Sequence, residues 1–129
     1  MLDIFVQAVL IVFGLFFAYT AIISFRRPKS FAAALGLTTI GRSGEVEIRA
    51  QYGGFFLAAA ICQFAPFVTD MASTTALAVG LVIFGGLILG RLAALFSGST
   101  DEQLLPTVRA LYWIDGGGAL LALTGLYMT

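Results

Sequence analysis

Histidine is absent from the 129 residues. Its absence excludes His-ligated haem, bacteriochlorophyll or zinc within this chain, and imidazole acid–base chemistry with them. Cysteine occurs once, as Cys62, so no internal disulfide can form. Set among Ala60, Ile61 and Phe64, Cys62 reads as a small buried core residue. Charge is also scarce. Charged residues make up 11% of the chain, seven basic against seven acidic, and this balance points to no nucleic-acid partner. There is no internal repeat, linker domain, low-complexity tail, nucleotide loop or metal-ligand cluster. No cofactor is expected, and no catalytic residue is assigned.

What is abundant is apolar. Hydrophobic residues reach 60% of the sequence. A soluble domain of this length would have too little polar surface to cover its core. The apolar residues fall into four stretches, about 2–25, 45–67, 75–96 and 107–128. Each is long enough to cross a hydrocarbon core of ~30 Å at ~1.5 Å per residue. The expected fold is therefore all-α. It is a polytopic membrane protein, one domain over 1–129, with four transmembrane helices in an antiparallel bundle. The first stretch lacks a basic n-region, and its positive charges come after it, so it reads as a retained anchor rather than a signal peptide.

The connections carry helix punctuation. Pro28 stops the first helix. Ser30 is placed to cap a short interfacial segment, Phe31–Leu35, that ends at Gly36. Ser43 is placed to start the second span, with Glu45 and Glu47 in its first turns, where the helix dipole favours anions. Pro66 closes that span. Thr100-Asp101-Glu102-Gln103 reads as a capping box. Pro106 follows it, so either the helix starts at Thr100 and bends or Pro106 opens a new first turn.

Basic residues set the expected orientation. Arg26, Arg27, Lys29, Arg42 and Arg49 lie in or beside the first connection, and Arg91 and Arg109 flank the third. Neither terminus nor the second connection has any. By the positive-inside rule both termini face the periplasm, N-out and C-out, in a bacterial inner membrane.

Two charges fall inside apolar stretches, Arg91 and Asp115, and they are the strongest pointers to a working site. Arg49 lies roughly 9 Å along the second span, Asp115 roughly 10 Å along the fourth, and Arg91 roughly 7 Å from the end of the third. These depths share one layer. Glu45 and Arg49 stand at i, i+4, and Tyr52 and Phe56 extend that face. Unpaired charge in a membrane costs at least ~2.5 kcal/mol at a helix centre. Asp115 is therefore expected to bond Arg91, Arg49 or both, with Glu45 or Glu47 completing the set. Three roles are open to this layer: an internal staple, a ligand or proton site, or simple snorkelling of Arg91 to lipid phosphates.

Small residues mark expected contact faces: Gly86 and Gly90 as a GxxxG pair, Gly53 and Gly54, Gly14 with Ala18, and Gly116, Gly117 and Gly118. The triple glycine beside Asp115 suggests a bend, or a loosened stretch with exposed carbonyls as at broken-helix sites. The phenylalanines read as core or lipid-facing residues. Tyr19, Tyr112, Trp113 and Tyr127 read as interfacial anchors. Gln7, Gln51 and Gln63 read as interhelical hydrogen-bonding residues.

The stretch Glu47-Ile48-Arg49-Ala50-Gln51-Tyr52-Gly53-Gly54, with Gly90-Arg91 and Asp115-Gly116, resembles a bacterial family of small four-helix inner-membrane proteins of unknown function. More loosely it is similar to the DoxX-like four-helix membrane proteins. The resemblance covers most of the chain and implies a four-helix bundle without a known activity. The triple glycine departs from that pattern.

For function, the leading expectation is a non-catalytic accessory subunit. It would pack against a larger membrane complex, respiratory or photosynthetic for example, or against copies of itself, among membrane lipids. The alternative is a small transporter or a lipid- or quinone-binding protein that uses the buried charges. A membrane enzyme is the least favoured reading.

Overall fold

Asp3 opens the first helix. Its carboxylate accepts a hydrogen bond from the Phe5 amide at 2.7 Å, which satisfies one of the free donors at a helix start. This computed structural model describes residues 3–97 and 103–129. Thr100, Asp101 and Glu102 of the expected capping box lie outside the described residues.

Helix α1 spans Ile4–Arg26 and ends at Arg27. Pro28 then opens the short helix α2, Pro28–Ala34. Proline is at home in a first turn because its missing N–H would have no partner there. The helix start therefore falls at Pro28 and not at a Ser30 cap. Gly36, at φ +77°, ends α2. The Leu37 amide reaches back to the Ala32 carbonyl, and the Gly36 amide to that of Ala33. This is the paired closure that a left-handed residue permits at a helix end.

The second rod is continuous but composite. Helix α3 covers Gly41–Ile48, a π-helical turn covers Arg49–Gly54, α4 covers Phe55–Phe64, and a 3-10 turn covers Ala65–Phe67. It starts at Gly41 rather than Ser43, with Ile40 at the cap and no side-chain hydrogen bond there. Helix α5 spans Ser73–Ala94, and α6 spans Pro106–Met128 with Pro106 in its first turn. Of the two openings the sequence allowed, Pro106 provides the one found. Helices α1 and α5 are long and apolar enough to cross a membrane.

Ring-into-glycine contacts set the packing. Phe64 sits over Gly14, Phe25 over Gly53, Phe13 over Gly80 and Phe84 over Gly118. A Cβ at Gly118 would lie 2.6 Å from the Phe84 ring, and one at Gly80 would lie 2.8 Å from that of Phe13. These rings fill space that only a missing side chain leaves free. Phe13, Phe17 and Phe84 meet at the centre, with ring centroids of Phe13 and Phe84 4.8 Å apart and of Phe17 and Phe84 5.2 Å apart. Val6, Leu10 and Leu77 complete the buried interior.

The same contacts fix direction. Along α1, residues 14, 17 and 25 meet residues 64, 56 and 53, so α1 and the second rod run antiparallel. Along α5, residues 77, 84 and 91 meet residues 125, 118 and 115, so α5 and α6 do the same. Neighbours close in the order α1, α4, α5, α6 and back to α1. The α4–α5 and α6–α1 sides are more thinly packed than the other two. The fold is all-α, and the described residues include no strand.

Several glycines do not pack against the chain's own side chains. A Cβ at Gly86, Gly90 or Gly117 would meet nothing within 4 Å, and one at Gly54 would reach only the Arg49 carbonyl at 3.9 Å. The Gly86/Gly90 pair therefore faces away from the chain's own interior. The triple glycine does not break α6, which runs through it as regular helix. Gly118 seats Phe84, and Gly116 touches Ile88 at ordinary distance. The close approach of a ring, rather than a loosened backbone, accounts for Gly118.

Candidate functional site

Asp115 lies midway along α6 and is 1% exposed, while Arg91 in the last turns of α5 is 22% exposed. The antiparallel register that seats Phe84 on Gly118 places the Arg91 backbone about one turn beyond Asp115, and the long arginine side chain spans that turn to reach the carboxylate. Arg91 Nη1 donates to Asp115 Oδ2 in a direct ion pair. Tyr112, one turn before Asp115, donates its hydroxyl to the Arg91 carbonyl at 2.8 Å. That carbonyl needs a partner because the Leu95 amide turns back to Leu92 and Ala93 instead. Tyr112 is thereby a tie between helices, not a free interfacial anchor. Tyr19, Trp113 and Tyr127 remain exposed.

The wider charge layer does not assemble. Arg49 is exposed and its Nε donates to the Phe25 carbonyl at 3.2 Å, at the end of α1. Glu47 is exposed and accepts from Gln51 within its own rod at 3.3 Å. Glu45 is half-buried on α3. Among the described residues, Arg91–Asp115 is the ion pair present. The π-helical turn explains the difference. It inserts one residue beyond regular helical winding, so residues before it rotate by roughly 100° relative to those after it. Phe56 faces inward, Tyr52 stacks on it at a 6.2 Å centroid distance, and Arg49 and Glu47 find partners other than Asp115.

Asp115 keeps one acceptor unused. Its Oδ1 is buried and has no hydrogen-bond partner among the described residues. Asp115 lies on the wall of a small cavity of about 70 Å³, with Arg91, Thr20 and Tyr52 beside Phe16, Phe56 and Leu87. The Thr20 hydroxyl is already donated to the Phe16 carbonyl at 3.0 Å.

Outside this cavity, the thinly packed α4–α5 side forms two adjoining apolar grooves of about 560 and 510 Å³. They share Phe55, Val82 and Ile83. The first groove also shares Tyr52, Phe56 and Leu87 with the Asp115 cavity. Cys62 lies on the wall of the second groove and is half-buried, so it is not the enclosed core residue its neighbours suggested.

A second buried polar side chain stands at the opposite end of the bundle. Gln63 Nε2 donates to the Ala76 carbonyl at 3.0 Å and clasps α4 to the start of α5, while its Oε1 has no partner among the described residues. Gln63 thus bonds between helices, whereas Gln51 bonds within its own. The described residues hold no group of three or more metal-ligating side chains of the His, Cys, Asp and Glu types. The interactions that the described residues show at the site are an ion pair and hydrogen bonds.

A family model described as a domain of unknown function, DUF4345, matches residues 5–112. The chain belongs to that family. The matched stretch includes the π-helical turn and Arg91 and stops short of Asp115. No curated protein and no solved structure matches the chain.

Proposed function

We propose that this chain is a non-catalytic integral membrane protein with four transmembrane spans, acting as an accessory subunit of a larger membrane complex or in self-association. Spans α1 and α5 are joined in this reading by α6 and by the rod Gly41–Phe67, which lie antiparallel to them. All seven basic residues belong to the end of the bundle where α1 and α5 finish and the other two rods begin. By the positive-inside rule that end is cytoplasmic, and both termini are periplasmic, in a bacterial inner membrane. The loose likeness to DoxX-like proteins fits the same picture.

The observation that supports an accessory role is the uncovered face of α5. Val82, Gly86, Leu89 and Gly90 lie on one helical stripe and are all exposed. Side chains at both glycines would meet open space. A flat stripe of this kind lets another helix approach closely within a membrane. The test is purification of the tagged protein in a gentle detergent at native expression, with mass spectrometry of what accompanies it. A stoichiometric companion, lost in a Gly86→Leu/Gly90→Leu variant, is the expected result. Recovery as a monomer alone would end this reading.

A second reading, a lipid- or quinone-binding protein, is favoured by one specific observation. Asp115, whose Oδ1 has no partner among the described residues, lines a cavity that shares wall residues with an apolar groove.

A further inference from the structure

We propose that the α4–α5 seam binds a neutral, single-tailed amphiphile, with a small hydroxyl head in the Asp115 cavity and its hydrocarbon tail in the outer groove. This rests on the lipid-binding reading, and its groove shares Val82 and Gly86 with the α5 stripe of the accessory reading, so a tail there and a partner helix compete for one surface.

The head chemistry follows from the ion pair. Arg91 and Asp115 neutralise each other, so the cavity offers no net charge to an ionic head group. Asp115 Oδ1 remains a buried acceptor without a donor. Such a group is costly to leave unmade, and it favours whatever brings an O–H to it. The cavity, at about 70 Å³, admits a group on the order of a few heavy atoms. A hydroxyl fits.

The tail chemistry follows from the groove. Phe55, Val82 and Ile83 line both of its halves, with Val82 74% exposed at the rim. From Tyr52 to Cys62 the groove follows the rod for on the order of 15 Å. Tyr52, Phe56 and Leu87 separate groove from cavity, so a molecule with its head at Asp115 passes between α4 and α5, which pack more thinly than α1 on α4 or α5 on α6. The polarity also agrees with a bilayer. The head site lies toward the arginine-rich end, and the groove leads from there toward Thr75 at the start of α5. A lipid of that leaflet has the same direction, head near the surface and tail toward the midplane.

The experiment uses the full chain in nanodiscs with tritiated oleyl alcohol as probe and oleyl methyl ether as competitor. The two share a tail, but the ether cannot donate a hydrogen bond. Saturable binding near one alcohol per chain is expected, with the ether weaker by roughly ten-fold, the factor for one lost hydrogen bond of ordinary strength. In Asp115→Asn the amide oxygen is held by Arg91 and the amide nitrogen turns to the cavity, so the preference for alcohol over ether should disappear. Val82→Trp should fill the groove rim and weaken alcohol and ether alike. It alters an exposed position, and so keeps the test available if Asp115→Asn fails to fold. Equal affinity of wild type for alcohol and ether would overturn the head assignment. Undiminished binding by Val82→Trp would overturn the tail assignment. Absence of saturable binding would overturn both, and a soluble, membrane-free chain would remove the lipid-binding reading itself.

Discussion

Arg91 and Asp115 are paired but unequally buried: the guanidinium is 22% exposed and the carboxylate 1%. The inequality makes the two single deletions different. Arg91→Ala leaves an enclosed carboxylate without its cation. Asp115→Ala leaves a cation whose long stem can carry it toward polar surroundings. Arg91→Ala is therefore expected to be the more destabilising, approaching the ~3–5 kcal/mol seen when one partner of a buried pair is removed. Replacing both by Leu should recover much of that loss. Thermal unfolding in detergent of the two single variants and the double variant measures it. Equal losses for both singles would contradict the role assigned to burial.

The two adjacent glycines Gly117 and Gly118 should respond oppositely to alanine. At Gly118 the new Cβ would lie 2.6 Å from the Phe84 ring, and overpacking of this kind costs ~1–3 kcal/mol. At Gly117 nothing stands within 4 Å, so alanine should be neutral or stabilising by up to ~1 kcal/mol through helix propensity. Phe84→Leu should partly relieve Gly118→Ala. Midpoints of denaturation for the three variants decide it.

Tyr112→Phe removes the donor that satisfies the Arg91 carbonyl. The expected loss is ~0.5–1.5 kcal/mol, with faster amide exchange confined to the end of α5. Hydrogen exchange read by mass spectrometry locates the effect. An unchanged α5 terminus would show that the tie is dispensable.

Arg49 is tied to the Phe25 carbonyl and not to Asp115. In a double-mutant cycle, Arg49→Ala and Asp115→Ala should add within ~0.3–0.5 kcal/mol, as independent sites do. A larger coupling energy would restore Arg49 to the charge layer.

Gln63→Leu should be nearly neutral. It gives up the hydrogen bond to Ala76, a class worth ~0.6 kcal/mol between membrane helices, and also removes the unpartnered Oε1. Gln63→Glu should be clearly worse, because it puts a carboxylate in a fully buried position. Comparing the yield of folded protein and the unfolding midpoint for both variants tests this.

Much of the helix layout is legible in the residues. The stretches 2–25, 75–96 and 107–128 lie close to Ile4–Arg26, Ser73–Ala94 and Pro106–Met128. Apolar runs bounded by Pro28, Pro106 and Gly36 carry that information locally. The start of the second rod is less legible, because Ser43 and Glu45 resemble a cap and a first turn, while the chain begins the helix at Gly41 without any side-chain cap. Depth along the helices put Arg91 and Arg49 alike within reach of Asp115, and the choice between them was not legible. The exclusion of Arg49, Glu45 and Glu47 depends on the π-helical turn, which has no marker in the spacing of apolar residues.

The sequence by itself determined an all-helical chain and the few interior polar groups that had to find partners, since these follow from local composition and from the cost of bare charge. Tertiary structure decided which partner each one found. It also decided which glycines seat a ring and which lie open, and where the rods leave a groove. Those outcomes depend on rotation and register between helices distant in sequence. Gly117 and Gly118 are identical as residues, and only the position of Phe84 makes one of them indispensable to the packing.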